Sequence, residues 1–329
     1  MCRSWISAGA PARACPASET GTGSVAGPLS AIRRAVGEAF KRLGVAALWL
    51  LTARVLPDLL WRALPDVVLD SLSLPAYSMV CQVATTLVGL GTARVVLVRP
   101  AKALGANRPS AWDVAFAAML APAIFVLASL IALKIAEPYL VAELAREGPG
   151  ASRRNAGAFG RAVTEAPLLV TLAWGTVLAA IAEELAFRGA LFGAIETTAL
   201  ALFARSDAPS GRKRAEFLSG ILAGVLTAAA FGAMHADMKG SVGIVRVASA
   251  TCLGLACGSA RLLANTVFVP MMLHFGYNGV SLGLGRDIFR GDSDPLLSVV
   301  PNLLLGLAAT GVFLVIAISA ARRASRGQT

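Results

Sequence analysis

The sequence predicts an all-α fold, a polytopic transmembrane helical bundle, on three observations. Of its 329 residues, 56% are hydrophobic and only 15% are charged, whereas an average soluble domain carries roughly 25% charged residues. The apolar residues fall into runs of about 20 or more, the length that a helix needs to cross a bilayer core. Basic residues cluster between these runs, as they do in cytoplasmic loops. The chain is therefore expected to be an integral membrane protein.

About eight spans follow from the lengths of the apolar runs. They are predicted near residues 43–61, 74–98, 112–136, 166–191, 217–235, 241–260, 264–284 and 296–321. An even number of spans with both termini cytoplasmic places four basic clusters on the cytoplasmic side. These clusters are Arg33, Arg34, Lys41 and Arg42; Arg94, Arg99, Lys102 and Arg108; Arg205, Arg212, Lys213 and Arg214; and Arg322, Arg323 and Arg326.

The net charge of +11 does not indicate nucleic acid as a partner. The basic residues lie in short loops and form neither a basic helix face nor a patch interleaved with aromatic residues. The expected partner surface is the lipid bilayer. Lys134 and Arg246, near the ends of predicted spans, are interpreted as side chains that snorkel towards the membrane surface.

The strongest candidate for chemistry is the segment 181–189, because an ionisable group inside a span indicates function. Glu184 and Arg188 stand four residues apart and are expected to pair on one helix face. Glu183 points about 100° away and is left without that partner. An unpaired carboxylate in an apolar setting is what a general base requires. The alternative is a buried ion pair that only stabilises helix packing, which would leave Glu183 unexplained.

The only two histidines, His235 and His274, also lie in or beside apolar spans. His235 follows Phe231 by four residues, and His274 precedes Asn278 by four, so each pair shares a helix face. Nearby glycines are expected to let neighbouring backbones come close; these are Gly232, Gly276 and Gly279.

Two chemistries fit these residues. Glu183, His235 and His274 could ligate Zn²⁺ with an open position for water. Alternatively, Glu183 and His235 activate water without a metal, while His274 and Asn278 stabilise the oxyanion. The sequence has no HExxH motif of the soluble metalloproteases. The metal-free version is favoured, and both remain open.

Three motifs in this order, EExxxR, FxxxH and HxxxN, resemble those of the CPBP family (CAAX protease and bacteriocin-processing, or ABI), intramembrane proteases related to type II CAAX prenyl endopeptidases. They are formed by Glu183, Glu184 and Arg188, by Phe231 and His235, and by His274 and Asn278. The resemblance covers about residues 166–284. It implies a catalytic cavity within the bilayer, with Glu183 as the base, supported by Glu184 and Arg188. It also implies that His235 shares the water and that His274 and Asn278 hold the oxyanion. Members of the family have been described both as metalloproteases and as glutamate proteases.

The predicted organisation has four parts: a disordered tail at 1–40, N-terminal transmembrane helices at 41–140, a CPBP-type catalytic core at 160–290, and a last span with a basic tail at 291–329. The expected function is an endopeptidase acting on a membrane-associated peptide or protein, in a bacterial inner membrane. The alternatives are a non-catalytic scaffold or immunity-type relative and a proton-coupled transporter.

One difficulty concerns depth in the membrane. If the fourth span ends at residue 191, Glu183 lies near the cytoplasmic edge and His235 near the outer face, too far apart to share a water across about 30 Å of hydrocarbon. The apolar run continues past Gly189 to Leu202. Two solutions are therefore predicted: a long tilted helix over 166–204, or a break and re-entry after Gly189.

Overall fold

A computed structural model describes residues 28–65, 67, 73–148, 151–203 and 209–290. Within these ranges the structure is helical and contains no strand, which confirms the all-α fold class. The helices are α1 (Pro28–Ala63), α2 (Leu74–Val96), α3 (Pro100–Ala103), α4 (Ala111–Glu147), α5 (Ala151–Glu165), α6 (Leu168–Phe203), α7 (Pro209–Met234), α8 (Gly240–Ala264) and α9 (Phe268–Arg290).

Six of these helices, α1, α2, α4, α6, α7 and α8, are long and apolar enough to cross a membrane. Their outer faces expose large apolar side chains, among them Leu51, Leu87, Trp112, Leu130 and Val141. So much exposed apolar surface indicates contact with lipid, and the chain is an integral membrane protein. The seventh predicted span corresponds to α9, which is not among the six. The eighth, 296–321, lies outside the described residues, as does 291–329 as a whole.

The predicted tail boundary at residue 40 is wrong, because α1 begins at Pro28 and residues 28–40 are helical. Glu38 and Lys41 pair at 3.3 Å on one face of this segment. Ala39 is buried, and Val45 and Trp49 continue the buried face of the helix into the core. The charged residues therefore belong to an amphipathic extension of the first span. Residues 1–27 lie outside the described part of the chain.

Helix α6 is one long helix and does not break and re-enter after Gly189. Two short π-helical segments, Ala173–Leu178 and Leu185–Leu191, widen it on either side of an α-helical segment, Ala179–Glu184. Such π-bulges are rare and often occur at functional sites. Because α6 is long and α7 ends at Met234 beside its middle, His235 reaches the level of Glu183. The first of the two predicted solutions is the one observed.

The helices around α6 approach each other closely where residues are small. A side chain at Gly254 of α8 would lie 2.9 Å from the Ala228 Cα of α7. One at Gly276 of α9 would lie 2.6 Å from the Ala121 Cβ of α4. Gly232 likewise faces Thr251, whereas Gly279 has no neighbour within 4 Å in the described structure. The predicted close approach holds at Gly232 and Gly276 and is wrong at Gly279.

Loops that the charge pattern assigns to one side of the membrane are in contact. Asn107, before α4, donates a hydrogen bond to the Asn265 carbonyl before α9 at 2.8 Å. At the other end of the bundle, buried Glu143 accepts hydrogen bonds from Asn155 at 3.0 Å and from the Ser241 backbone N–H at 2.6 Å. The relative sidedness of these loops agrees with the predicted topology. Which face is cytoplasmic stays a prediction.

Candidate active site

Glu184 and Arg188 form the predicted ion pair inside the protein. The Arg188 Nη1 lies 2.9 Å from the Glu184 Oε1, and both side chains are fully buried. The Arg188 Nη2 donates a second hydrogen bond, at 3.1 Å, to the Gly254 carbonyl of α8. Arg188 therefore ties the middle of α6 to α8 at the point where α8 comes closest to α7.

The two histidines and Glu183 meet at one place. The Glu183 Oε2 lies 3.7 Å from the His274 Nε2 and 4.0 Å from the His235 Nε2. On its other side, the His274 Nδ1 lies 2.8 Å from the Glu184 Oε1. The contact between His274 and Glu184 joins the two adjacent carboxylates of α6 to a single imidazole of α9, which the sequence motifs did not predict.

Hydrogen-bond partners determine which histidine nitrogens carry protons. The His235 Nδ1 lies 2.8 Å from the Phe231 carbonyl oxygen, which only accepts, so this nitrogen carries the hydrogen. By the same argument the His274 Nδ1 donates to Glu184. In the neutral rings, both Nε2 atoms then present lone pairs towards Glu183.

The Glu183 Oε2 has no hydrogen-bond partner among the described residues. Three acceptors, this oxygen and the two Nε2 atoms, thus converge without a donor between them. Two acceptors 3.7–4.0 Å apart can both lie at a hydrogen-bond distance of about 2.8 Å from one water. The arrangement fits a water molecule that donates to Glu183 and to one of the imidazoles.

Phe231 is fully buried and packs against the two histidines and Arg188. Its ring centroid lies 4.5 Å from that of His235 and 5.6 Å from that of His274. The Arg188 Cζ lies 4.6 Å from the same centroid, within the range of a cation–π interaction. The phenylalanine of the FxxxH motif therefore orients both imidazoles and the arginine of the EExxxR motif.

Asn278 lies on α9 one turn after His274, as its spacing predicts. Its Nδ2 donates a hydrogen bond at 2.9 Å to the Gly175 carbonyl, in the first π-helical segment of α6. In the second π-helical segment, the Arg188 carbonyl accepts a hydrogen bond from the Arg261 Nε of α8 at 3.3 Å. In both cases a π-helical segment of α6 supplies a carbonyl oxygen to a side chain of another helix. One amide hydrogen of Asn278 remains for another acceptor.

Two cavities adjoin Glu183. The larger, of about 450 Å³, is lined by residues of α2 and α5–α9 and includes Glu183, His235, His274 and Asn278. The smaller, of about 250 Å³, has a largely apolar lining that includes Trp49, Leu50, Pro57 and Phe187. Both cavities are lined in part by the same polar residues, which include Glu183, His235, Gln82 and Arg246. The Glu183 side chain therefore borders both cavities.

Arg246, interpreted from the sequence as a snorkelling side chain, lines both cavities. Its Nε lies 2.8 Å from the Asp237 Oδ1, and its Cζ lies 4.6 Å from the centroid of the Phe159 ring. These contacts hold the guanidinium at the wall of the cavity. Glu183 was identified because an ionisable residue inside a span indicates function. The same rule applies to Arg246 and would have identified it as well.

The three candidate zinc ligands are spaced too widely around Glu183 for a tetrahedral zinc ion. Ligands 2.0–2.1 Å from a tetrahedral zinc ion lie about 3.3 Å from one another, whereas Glu183 is 3.7 and 4.0 Å from the two imidazole nitrogens. Among the described residues, no three His, Cys, Asp or Glu side chains are grouped so as to hold a metal ion. Glu183, His235 and His274 as positioned do not fit a zinc site.

Fold and site together define a helical membrane protein in which two carboxylates and two imidazoles, two of them fully or almost fully buried and two half-buried, converge at the edge of a cavity. Residues 165–280 match the family model described as type II CAAX prenyl endopeptidase Rce1-like. This match covers the segment that carries the three motifs and confirms the resemblance found in them. The matched family is described as one of endopeptidases, so peptide-bond hydrolysis is the activity that this match suggests. No curated protein and no solved structure matched the chain.

Proposed function

We propose that this protein is an intramembrane endopeptidase in which Glu183 activates a water molecule for attack on a peptide bond. The observation that carries the proposal is the unpartnered Glu183 Oε2, with the His274 and His235 Nε2 atoms at 3.7 and 4.0 Å. A general base must lie within hydrogen-bond reach of the proton that it abstracts. A water held between Glu183 and His235 meets that condition.

In the proposed reaction, Glu183 takes a proton from the water while the water oxygen bonds to the carbonyl carbon of the scissile peptide. The carbonyl becomes a tetrahedral oxyanion. When the C–N bond breaks, Glu183 returns the proton to the leaving amine, so that one carboxylate acts first as base and then as acid. The products are a carboxylic acid and an amine, and the enzyme regains its starting protonation.

Asn278 and His274 are the candidates for oxyanion stabilisation. Asn278 keeps one amide hydrogen after its bond to Gly175. His274 can donate from Nε2 when that atom is protonated, since Glu184 accepts from its Nδ1. Preorganised donors of this kind contribute factors of about 10²–10³ to the rate. Glu184 and Arg188 act as positioning residues, because they orient His274 without lining the cavity.

The substrate we propose is a membrane-associated peptide or protein. The apolar wall formed by Trp49, Leu50, Pro57 and Phe187 suits an apolar segment of such a substrate on one side of Glu183. The larger cavity adds His274, Asn278 and Asp237 to the polar residues that both cavities share. A peptide passing from one cavity to the other would place its backbone beside the Glu183 carboxylate.

The proposal is tested by comparative proteomics of membranes that contain the wild type, Glu183→Gln or His235→Ala. We expect a set of peptide products in the wild-type sample that both variants lose. Glu196→Gln is the matched control, since Glu196 lies on the same helix outside the site, and it should retain the products. Identical product sets in the wild type and Glu183→Gln would refute the protease proposal.

Metal dependence is a separate test. From the donor spacing we expect purified protein to contain no stoichiometric zinc and to keep cleaving after treatment with EDTA. Loss of cleavage on chelation with recovery on added Zn²⁺ would show that the three donors close around a metal. That result would replace direct activation by Glu183 with the zinc alternative.

A further inference from the structure

Arg246 is the only arginine among the described residues that line the larger cavity, and the proposed hydrolysis does not use it. Its side chain is 24% exposed, whereas that of its partner Asp237 is 52% exposed. The guanidinium is therefore the deeper member of the pair. Its place at the wall is set by two independent contacts, with the Asp237 carboxylate and with the Phe159 ring.

The contact with Asp237 leaves most N–H groups of the Arg246 guanidinium without a hydrogen-bond acceptor among the described residues. The Nε lies 2.8 Å from the Asp237 Oδ1 but lacks the alignment of a hydrogen bond. No hydrogen bond or ion pair of Nη1 or Nη2 is found within the described structure. An arginine has five N–H donors in a planar fork that matches a carboxylate through two parallel hydrogen bonds. The Arg246 Cζ lies over the Phe159 ring at 4.6 Å from its centroid, a cation–π contact that helps to hold the guanidinium in place.

We propose that Arg246 binds a carboxylate of the substrate peptide and thereby sets which peptide bond reaches Glu183. This inference rests on the proposed function. In the free enzyme Asp237 is the competing anion, and a substrate carboxylate replaces it on the guanidinium. Arg246 and Glu183 line the same two cavities, so the anchored group lies on the same peptide as the bond to be cut.

A purely structural role makes a different prediction. Asp237 follows His235 by two residues and lies in the turn between α7, which ends at Met234, and α8, which begins at Gly240. If the ion pair only braces this turn, removing either partner has the same effect. If Arg246 binds a substrate carboxylate, the two removals have opposite effects, because loss of Asp237 frees the guanidinium.

The experiment uses the full-length protein in liposomes and a library of N-acetylated apolar decapeptides without internal acidic residues. The library is made in two forms, with a free carboxyl terminus and with a carboxamide terminus. A third form has a carboxamide terminus and one internal glutamate. Cleavage is followed by mass spectrometry, and the measured quantity is the ratio of the rates for carboxylate and carboxamide peptides.

We expect the wild type to cleave a carboxylate form about tenfold faster than the plain carboxamide form, the factor typical of one charge-assisted contact at a partly exposed site. Arg246→Gln should lower this ratio to about one, and Arg246→Lys should keep part of it. Asp237→Asn should raise the ratio above that of the wild type. A preference for the first or the third form shows whether the carboxylate is the chain terminus or a side chain.

Two results overturn the inference while leaving the protease proposal intact. One is cleavage by the wild type with no preference for either carboxylate form. The other is an equal fall of the ratio in Arg246→Gln and Asp237→Asn, with thermal unfolding of both variants unchanged. Absence of cleavage of every form, together with no Glu183-dependent product in membranes, refutes the protease proposal itself and the inference with it.

Discussion

Glu183 and Glu184 are neighbours in sequence, yet the structure gives them opposite environments. Glu184 is fully buried and shares one oxygen between Arg188 and His274. Glu183 is 30% exposed and lies 3.7 and 4.0 Å from the two imidazole Nε2 atoms without an ion pair to an arginine in the described structure, while the Oε2 of each carboxylate lacks a hydrogen-bond partner there. A helix turns by about 100° per residue, and that rotation alone separates a paired carboxylate from a free one. The pairing with Arg188 could be predicted from spacing. The pairing with His274 could not, because it joins residues of two helices.

The two histidines should respond differently to the same substitution. We expect His235→Asn and His274→Asn each to slow cleavage by about 10²-fold or more, as for a lost general acid–base or oxyanion group. His274→Asn should in addition lower the free energy of unfolding by about 1–3 kcal/mol, since it removes a hydrogen bond to the buried Glu184. His235 follows the end of α7 and is 20% exposed. We therefore expect the unfolding temperature of His235→Asn to stay near that of the wild type. Cleavage rates and thermal unfolding in detergent check both statements.

The buried pair of Glu184 and Arg188 has an exposed counterpart of the same spacing, Arg212 and Glu216, at 3.1 Å. We expect Arg188→Met to destabilise the protein by about 3–5 kcal/mol, because it leaves a buried carboxylate short of its main partner. Arg212→Met should leave stability unchanged, since exposed pairs contribute little. Thermal unfolding of the two variants makes the comparison. Equal stabilities would mean that Glu184 is not held as a buried anion.

At the scale of elements, α6 determines the site through its two π-helical segments. They lie on either side of Glu183 and provide the Gly175 and Arg188 carbonyls to side chains of α9 and α8. No proline marks these segments, so they were not predicted from sequence. The long apolar run of α6 could be recognised in the sequence, which allowed either a continuous helix or a break after Gly189. Packing against neighbouring helices selects the continuous helix.

The contact between α7 and α8 should be sensitive to a single methyl group. A Cβ at Gly254 meets the Ala228 backbone at 2.9 Å, so Gly254→Ala should destabilise the protein by about 1–3 kcal/mol. It should also reduce cleavage, because the Gly254 carbonyl accepts a hydrogen bond from Arg188. Gly91→Ala in α2, with nothing within 4 Å, is the matched control and should be neutral or slightly stabilising. Unfolding and cleavage measured together distinguish the two variants.

The whole molecule is a bundle whose loops sort into two sets. The loop before α4 contacts the loop before α9, and the ends of α4 and α5 contact the start of α8. This sorting matches the alternation that the basic clusters predict. The cytoplasmic location of the termini and the bacterial inner membrane remain predictions.

Cysteine labelling tests the orientation. Arg108 and Glu147 are both exposed, one at each end of α4. We expect an impermeant maleimide to label Glu147→Cys in intact spheroplasts and Arg108→Cys only after permeabilisation, because the charge rule places Arg108 inside. The unsubstituted protein, with Cys81 and Cys257 buried, is the background control. Reversed labelling would invert the orientation, and labelling of both sites from one side would contradict the bundle.

The sequence by itself determined that this chain is a helical membrane protein, because the length of its apolar runs matches the thickness of a bilayer's hydrocarbon core. It also determined the local pairs, Glu184 with Arg188 and His274 with Asn278 on one face, because helix periodicity acts over four residues. Tertiary structure decided what crosses between helices: the contact of His274 with Glu184, the meeting of both imidazoles at Glu183, and the place of Arg246 at the cavity wall. Such contacts depend on helix tilt, length and close approach, which are set by packing among residues far apart in the chain.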